Sequence, residues 1–149
     1  MTAVRVRHVR VLRIVAERRS TYYATGALCT STAVAEALRP FFDELDREVF
    51  GVVPLNGKNE ALGFHVVSVG TLTASLVHPR EVFKVAMLAN ASAIIVAHNH
   101  PSGDPTPSAE DRAITQRLKQ AGELLGIRLL DHVILGHSGY HSFVDAGEL

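Results

Sequence analysis

Residues 3–15 alternate apolar and basic side chains over most of their length, a period-2 pattern that predicts a strand with one wet face. Thr30, Ser31 and Thr32 offer capping hydroxyls ahead of AVAEALRPFFDEL, residues 33–45. This predicts a helix stopped or kinked before Pro40, with a turn or two beyond it. Residues 48–55 and 60–70 read as strands, and the Asn56-Gly57-Lys58-Asn59 turn between them predicts a hairpin. Pro79 opens a helix at the first helical position, where its missing N–H costs nothing. Val82, Val85, Ala86 and Ala89 mark its buried stripe. Residues 92–98 are a short apolar run rich in β-branched side chains, as a buried strand would be. A loop over 99–107 leads to an amphipathic helix over 108–125, marked by Ile114, Leu118, Ala121 and Leu125 and ended by Gly126. Residues 127–135 give a strand, 136–139 a turn and 140–144 a last short strand. The order is strand, helix, hairpin, helix, strand, helix, strand, strand. It predicts a single α/β layered domain with a mixed sheet and helices packed on it.

Composition narrows the class. The chain has 149 residues, enough for one domain with a real core. Its formal net charge is zero, yet residues 1–20 hold six arginines and one glutamate. Such a basic arm suits nucleic acid or an acidic partner, or simply the wet face of an edge strand. The single cysteine, Cys29, excludes an intrachain disulfide and a cysteine zinc knuckle, and fits a reducing, cytoplasmic compartment. No run of 18 apolar residues is present, so no membrane span is expected. The basic N-terminus is not followed by an apolar stretch ending in small residues, so no signal peptide is expected.

The candidate chemistry sits in AHNHPSGDPTPSAED, residues 97–111. His98 and His100 are two apart at a strand end, so both imidazoles can face one point. Asp111 falls in the first turn of the next helix, and the loop is long enough to bring that turn back beside the strand. Two His nitrogens and one carboxylate oxygen with a fourth position open make the donor set of a catalytic zinc site. Ser108-Ala-Glu-Asp111 is equally the start of a capping box, with Ser at the N-cap and an acid at N3. The literal string His-Asn-His is not an HNH nuclease, whose three letters are spread along a ββα unit. A zinc deaminase needs H-x-E followed by P-C-x-x-C, and position 100 is His with no cysteine pair in the chain. A metal-activated water needs a general base. Glu48 at the start of a strand is a candidate, with Glu44 and Glu81 as competitors.

HxH, seven residues, Ser, two residues, Asp is the JAMM (MPN+) metalloprotease motif, and His98, His100, Ser108 and Asp111 match it at every position. Residues 77–83, 97–111 and 130–134 resemble the RadC-like branch of that superfamily. The similarity runs from about residue 31 to 144. It implies a JAB/MPN α/β domain, distantly like cytidine deaminases, over 31–149, behind a basic strand and linker over 1–30. It implies Zn²⁺ on His98, His100 and Asp111, Glu48 as the base, and Ser108 beside the developing oxyanion. It implies hydrolysis of amide bonds in a peptide or protein substrate, often isopeptide bonds to ubiquitin-like tails. Asp131 and His132 are expected to hydrogen-bond a ligand histidine, since metal-bound imidazoles usually donate their other N–H. His65, His78, His137 and His141 are expected to be ordinary surface or core histidines. RadC-like proteins commonly carry a helix-hairpin-helix DNA-binding segment ahead of this domain. Here the arginine-bearing strand stands in that place, so a nucleic-acid-associated module of DNA-repair type is the lesser expectation. A metal-free scaffold is a third, opposed by the intact motif.

Overall fold

The structure is a computed structural model, which describes residues 26–70 and 77–149. The expected strand over 3–15 and its arginines lie outside the described residues. The described elements are α1 (Ser31–Phe42), β1 (Val49–Leu55), β2 (His65–Val69), α2 (Pro79–Leu88), β3 (Ala93–Asn99), α3 (Ala109–Leu125), β4 (Arg128–Leu135) and β5 (Tyr140–Ser142). They form an α/β domain around one mixed sheet of order β2-β1-β3-β4-β5. Only β3 and β4 run parallel; the other neighbours are antiparallel.

Alternation along the strands divides the core between the two faces of the sheet. Val49, Val53, Leu55, Ile95, Ala97, Val133 and Leu135 pack with Val34, Ala35, Leu38 and Phe42 of α1. Phe50, Val52, Ile94 and Val96 pack on the other face with Val82, Phe83 and Ala86 of α2 and Leu118 of α3. Each residue of β1 and β3 is buried, because both strands are central and covered on both faces.

Three local expectations meet a correction. Helix α1 runs through Pro40 to Phe42 instead of stopping before it. The carbonyl that Pro40 leaves without an N–H partner is that of Glu36, and both residues are exposed, so water can serve it. On α2, Phe83 is buried in the stripe, while Ala89 lies past the last helical turn as the C-cap. On α3, Leu125 is 43 % exposed, and the close contact is made by Gly122 instead. A Cβ at Gly122 would stand 2.4 Å from the carbonyl oxygen of Ile127, so only glycine lets the chain turn back so tightly into β4.

Candidate metal centre

The apolar run of β3 ends in His98, Asn99 and His100. Because β3 and β4 are parallel, their carboxyl ends lie side by side, with His98 opposite Ile134 and Asn99 opposite Leu135. In α/β sheets this edge is where ligands are bound. The loop after His100 folds down against the turn after β4. Gly103 has φ +87°, and a Cβ there would strike the His137 ring. A Cβ on Gly136 would lie 2.4 Å from the Gly103 carbonyl oxygen. The Gly103 carbonyl also accepts from the His137 N–H at 3.1 Å. On its other side this turn is held by Arg39 of α1, whose guanidinium donates to the carbonyls of Gly136 and Gly139.

The loop delivers the first turn of α3 to the two histidines. Ser108 is the N-cap, its Oγ accepting from the Asp111 N–H at 3.1 Å. Asp111 Oδ2 accepts in return from the Ser108 N–H at 2.7 Å. The capping box and the ligand set are therefore one structure: the box fixes the carboxylate that faces the histidines. Asp111 Oδ1 lies 3.1 Å from His98 Nε2, Asp111 Oδ2 lies 3.3 Å from His100 Nε2, and the two Nε2 atoms are 3.0 Å apart. Four ligands held about 2.0–2.1 Å from zinc in a tetrahedron stand roughly 3.3 Å from one another. Here the two histidines meet different oxygens of the carboxylate, and one ligand atom from each of the three residues lies within 4.8 Å of the others, close enough for a single ion to draw them together.

Protons can be assigned along the hydrogen bonds behind the site. The Thr115 hydroxyl donates to the Asp111 carbonyl at 2.6 Å, so its oxygen must accept from His132 Nδ1–H, also at 2.6 Å. Complete burial pushes the His132 pKa well below its ordinary value, so this imidazole is neutral. Its Nε2 then accepts from His98 Nδ1–H at 2.8 Å, which leaves a lone pair on His98 Nε2. His100 Nδ1 faces the Asp104 carbonyl at 2.8 Å and must donate to it, which leaves the lone pair of His100 on Nε2. Two imidazole lone pairs and a carboxylate thus converge. Electrostatics tolerates that only with a cation, or a shared proton, among them. Burial by itself would raise the Asp111 pKa. When a proton on the histidines fills that place, hydrogen bonds from His100 and His98 overcome this and hold the carboxyl far below the usual carboxylate range. His98, His100 and Asp111 are the described residues whose donor atoms could share a metal ion.

Aromatic rings close the apolar side. Phe50 stacks on His98 at 5.7 Å between centroids, and Phe143 stacks on His132 at 4.8 Å. Neither ring was anticipated from the sequence, nor was Thr115. Thr115 did carry a signal: it stands one helical turn after Asp111, on the same face.

The remaining expected residues fall in distinct places. Glu48 directly precedes β1. Phe50 pairs with His98 in an antiparallel register; continued two residues past this last pair, that register would set Glu48, half-buried, across from His100. Its negative charge helps to raise the His100 pKa, behind the larger effect of the Asp111 hydrogen bond. Of its competitors, Glu81 is engaged by Lys84 on the exposed first turn of α2. Glu44 lines a cleft of about 450 Å³ beside His100, together with Arg39, Phe42, Leu45, Leu135 and His137. His132 meets a ligand histidine directly. Asp131 does not: it pairs with Ile95, a residue packed against the α1 face. Its carboxylate accepts from the N–H groups of His132 and Val144 and from the Ser142 hydroxyl. It braces the backbone that carries His132. His78 is the N-cap of α2, its Nδ1 accepting from the Arg80 N–H.

Sequence comparison agrees with this architecture. The RadC-like JAB domain matches residues 28–148. A UPF0758 protein of Symbiobacterium thermophilum is 57 % identical over 122 residues, covering 82 % of this chain and 52 % of the relative. One from Thermotoga maritima is 58 % identical over 105 residues, covering 70 % and 47 %. One from Moorella thermoacetica is 59 % identical over 98 residues, covering 66 % and 43 %. The chain spans about half the length of these relatives. On the match to residues 28–148 and these identities, the chain belongs to the RadC-like JAB domain family.

Proposed function

We propose that this protein is a zinc-dependent hydrolase of amide bonds, acting on a peptide or on an isopeptide-linked tail. One observation carries the reading: the lone pairs of His98 Nε2, His100 Nε2 and the Asp111 carboxylate meet within 3.0–3.3 Å of one another at the carboxyl edge of the sheet. Zinc bound by three protein groups with one position open polarises a carbonyl and lowers the pKa of a water to about 7.

The chain's own groups would do the rest. Glu48, across from His100, accepts a proton from the attacking water and delivers it to the leaving amine. A carboxylate is suited to both tasks when held beside a cationic centre. Ser108 Oγ accepts from the Asp111 N–H, which leaves its hydroxyl proton to donate to the oxyanion as the carbonyl becomes tetrahedral. One donor of this kind is typically worth about 10²–10³ in rate.

The test is Glu48→Gln beside wild type, assayed for bound zinc and for cleavage of a library of peptides and isopeptide-linked tails. The reading expects zinc retained and cleavage abolished in the variant. Zinc lost with Glu48→Gln would make Glu48 a ligand and not the base.

A further inference from the structure

Asn99 lies between the two histidines, yet strand alternation turns its side chain to the opposite face. It is 5 % exposed. The Cα pairing of β1 with β3 reaches Phe50 and His98. One step further along, the Asn99 side chain stands in for the backbone. Its Oδ1 accepts from the Val49 N–H at 2.8 Å, and its Nδ2 donates to the Arg47 carbonyl at 3.0 Å. These two bonds fall on either side of Glu48. On the β2 side, the Glu48 carbonyl accepts from the Gly70 N–H at 2.8 Å. Main chain on one flank and a carboxamide on the other therefore fix the backbone of Glu48.

The residue type suits this task. A carboxamide offers one acceptor and one donor, like a peptide group, and so can continue a ladder where the main chains part. A buried apolar side chain would leave the Val49 N–H unpaired. An aspartate would set a negative charge against the Arg47 carbonyl. Because the bonds run from the residue between His98 and His100, they tie the backbone of Glu48 to the strand that carries both histidines.

We propose that Asn99 is a positioning residue that sets Glu48 opposite His100, with no contact of its own to metal or substrate. This rests on the reading of Glu48 as the base. Misplacing a reacting group by about 1 Å costs on the order of 10² in rate. Loss of Asn99 should therefore lower kcat while leaving ligand geometry and KM intact.

The experiment uses the Co²⁺-loaded chain, whose visible absorption reports the coordination and its change with pH. Wild type, Glu48→Gln, Asn99→Ala and the milder Asn99→Ser are compared for cobalt affinity and for the pH midpoint of the absorption change. They are also compared for kcat and KM on any substrate found by the library. Glu48→Gln is expected to displace the midpoint without loss of cobalt. Asn99→Ala is expected to displace it in the same direction, with cobalt affinity unchanged, kcat lower by about 10²-fold and KM unchanged. If Asn99→Ala does not fold, Asn99→Ser reads the same quantities. A wild-type midpoint in the Asn99 variants, with Glu48→Gln displaced, would overturn the role of Asn99 alone. Cobalt affinity lost together with Asn99 would also overturn it, making the residue a support for the ligands. A Glu48→Gln variant with an unmoved midpoint and full turnover would overturn the base itself, and the positioning role with it.

Discussion

Thr115 shows how far from the ligands the state of the site is decided. Its hydroxyl donates to the Asp111 carbonyl, and with that proton committed the bonds run from His132 to Thr115 and from His98 to His132. Thr115→Val keeps the shape and removes the oxygen. The buried His132 N–H is then unpaired, at a cost of about 1–3 kcal/mol. The His98 tautomer is no longer enforced, and groups of this kind are typically worth 10–100-fold in metal affinity. Thermal unfolding and a zinc competition titration measure the two effects. A variant with wild-type zinc affinity would show that the tautomer is set elsewhere. Ser108 allows a similar separation of roles. Glycine is nearly as good an N-cap as serine, so Ser108→Gly should cost only a few tenths of a kcal/mol in stability. If the hydroxyl serves the oxyanion, turnover should nonetheless fall about 10²–10³-fold. Equal, small losses in both would leave Ser108 as a cap alone.

Among the elements, the loop between β3 and α3 depends on close approach to the turn after β4. Gly136→Ala would drive a methyl group into the Gly103 carbonyl and Pro105. The loop must then lift, and with it Asp104, whose carbonyl orients His100. A lower melting temperature and weaker zinc binding should appear together, and a melting temperature unchanged from wild type would show that the loop adapts freely. None of this packing was legible in the sequence, where Gly103 and Gly136 are only two turn formers. What was legible was periodic or local. The β1–β2 hairpin follows from Asn56 to Asn59, and the latter does take a positive φ of 59°, but β2 spans only His65–Val69 where a strand over 60–70 was expected, with an isolated bridge from Leu55 to Ala61 before it. The carboxyl edge of β3 follows from a greasy run ending in His98. The Ser108–Asp111 spacing supported two readings, a cap and a ligand, and both describe the same hydrogen bonds. The rest escaped because it is tertiary. Asn99 looks like filler between ligands until β1 is laid beside it. Asp131 and His132 are neighbours in sequence but face opposite sides of the sheet, so only His132 reaches the site. Pro40 reads as a helix breaker only until it is seen to be exposed in the last turn.

At the scale of the whole molecule, the buried carboxyl of Asp131 links stability to pH. Burial is the main cause that raises its pKa above the ordinary 3.8, against the hydrogen bonds from Ser142, Val144 and His132. A carboxyl with a raised folded pKa holds its proton more tightly folded than unfolded. It therefore favours the folded state most at low pH, and that contribution is lost as pH rises from about 3.8 through the folded pKa. Asp131→Asn can keep an acceptor for the His132 and Val144 N–H groups and carries no charge. It should flatten this part of the stability curve, as read by urea unfolding across pH 3–7. A slope unchanged from wild type would assign it to other carboxyls. The fold as a whole serves to bring one helix turn and two strand ends to a single point, and the claim that a metal ion sits there needs no substrate to be tested. The direct measurement is metal content by mass spectrometry on wild type, His98→Ala and Asp111→Ala. One zinc ion per chain in wild type, lost in both variants, is the predicted result. A wild-type protein that is metal-free and takes up no added zinc would contradict it, leaving the convergence of His98, His100 and Asp111 as a hydrogen-bonded cap and nothing more.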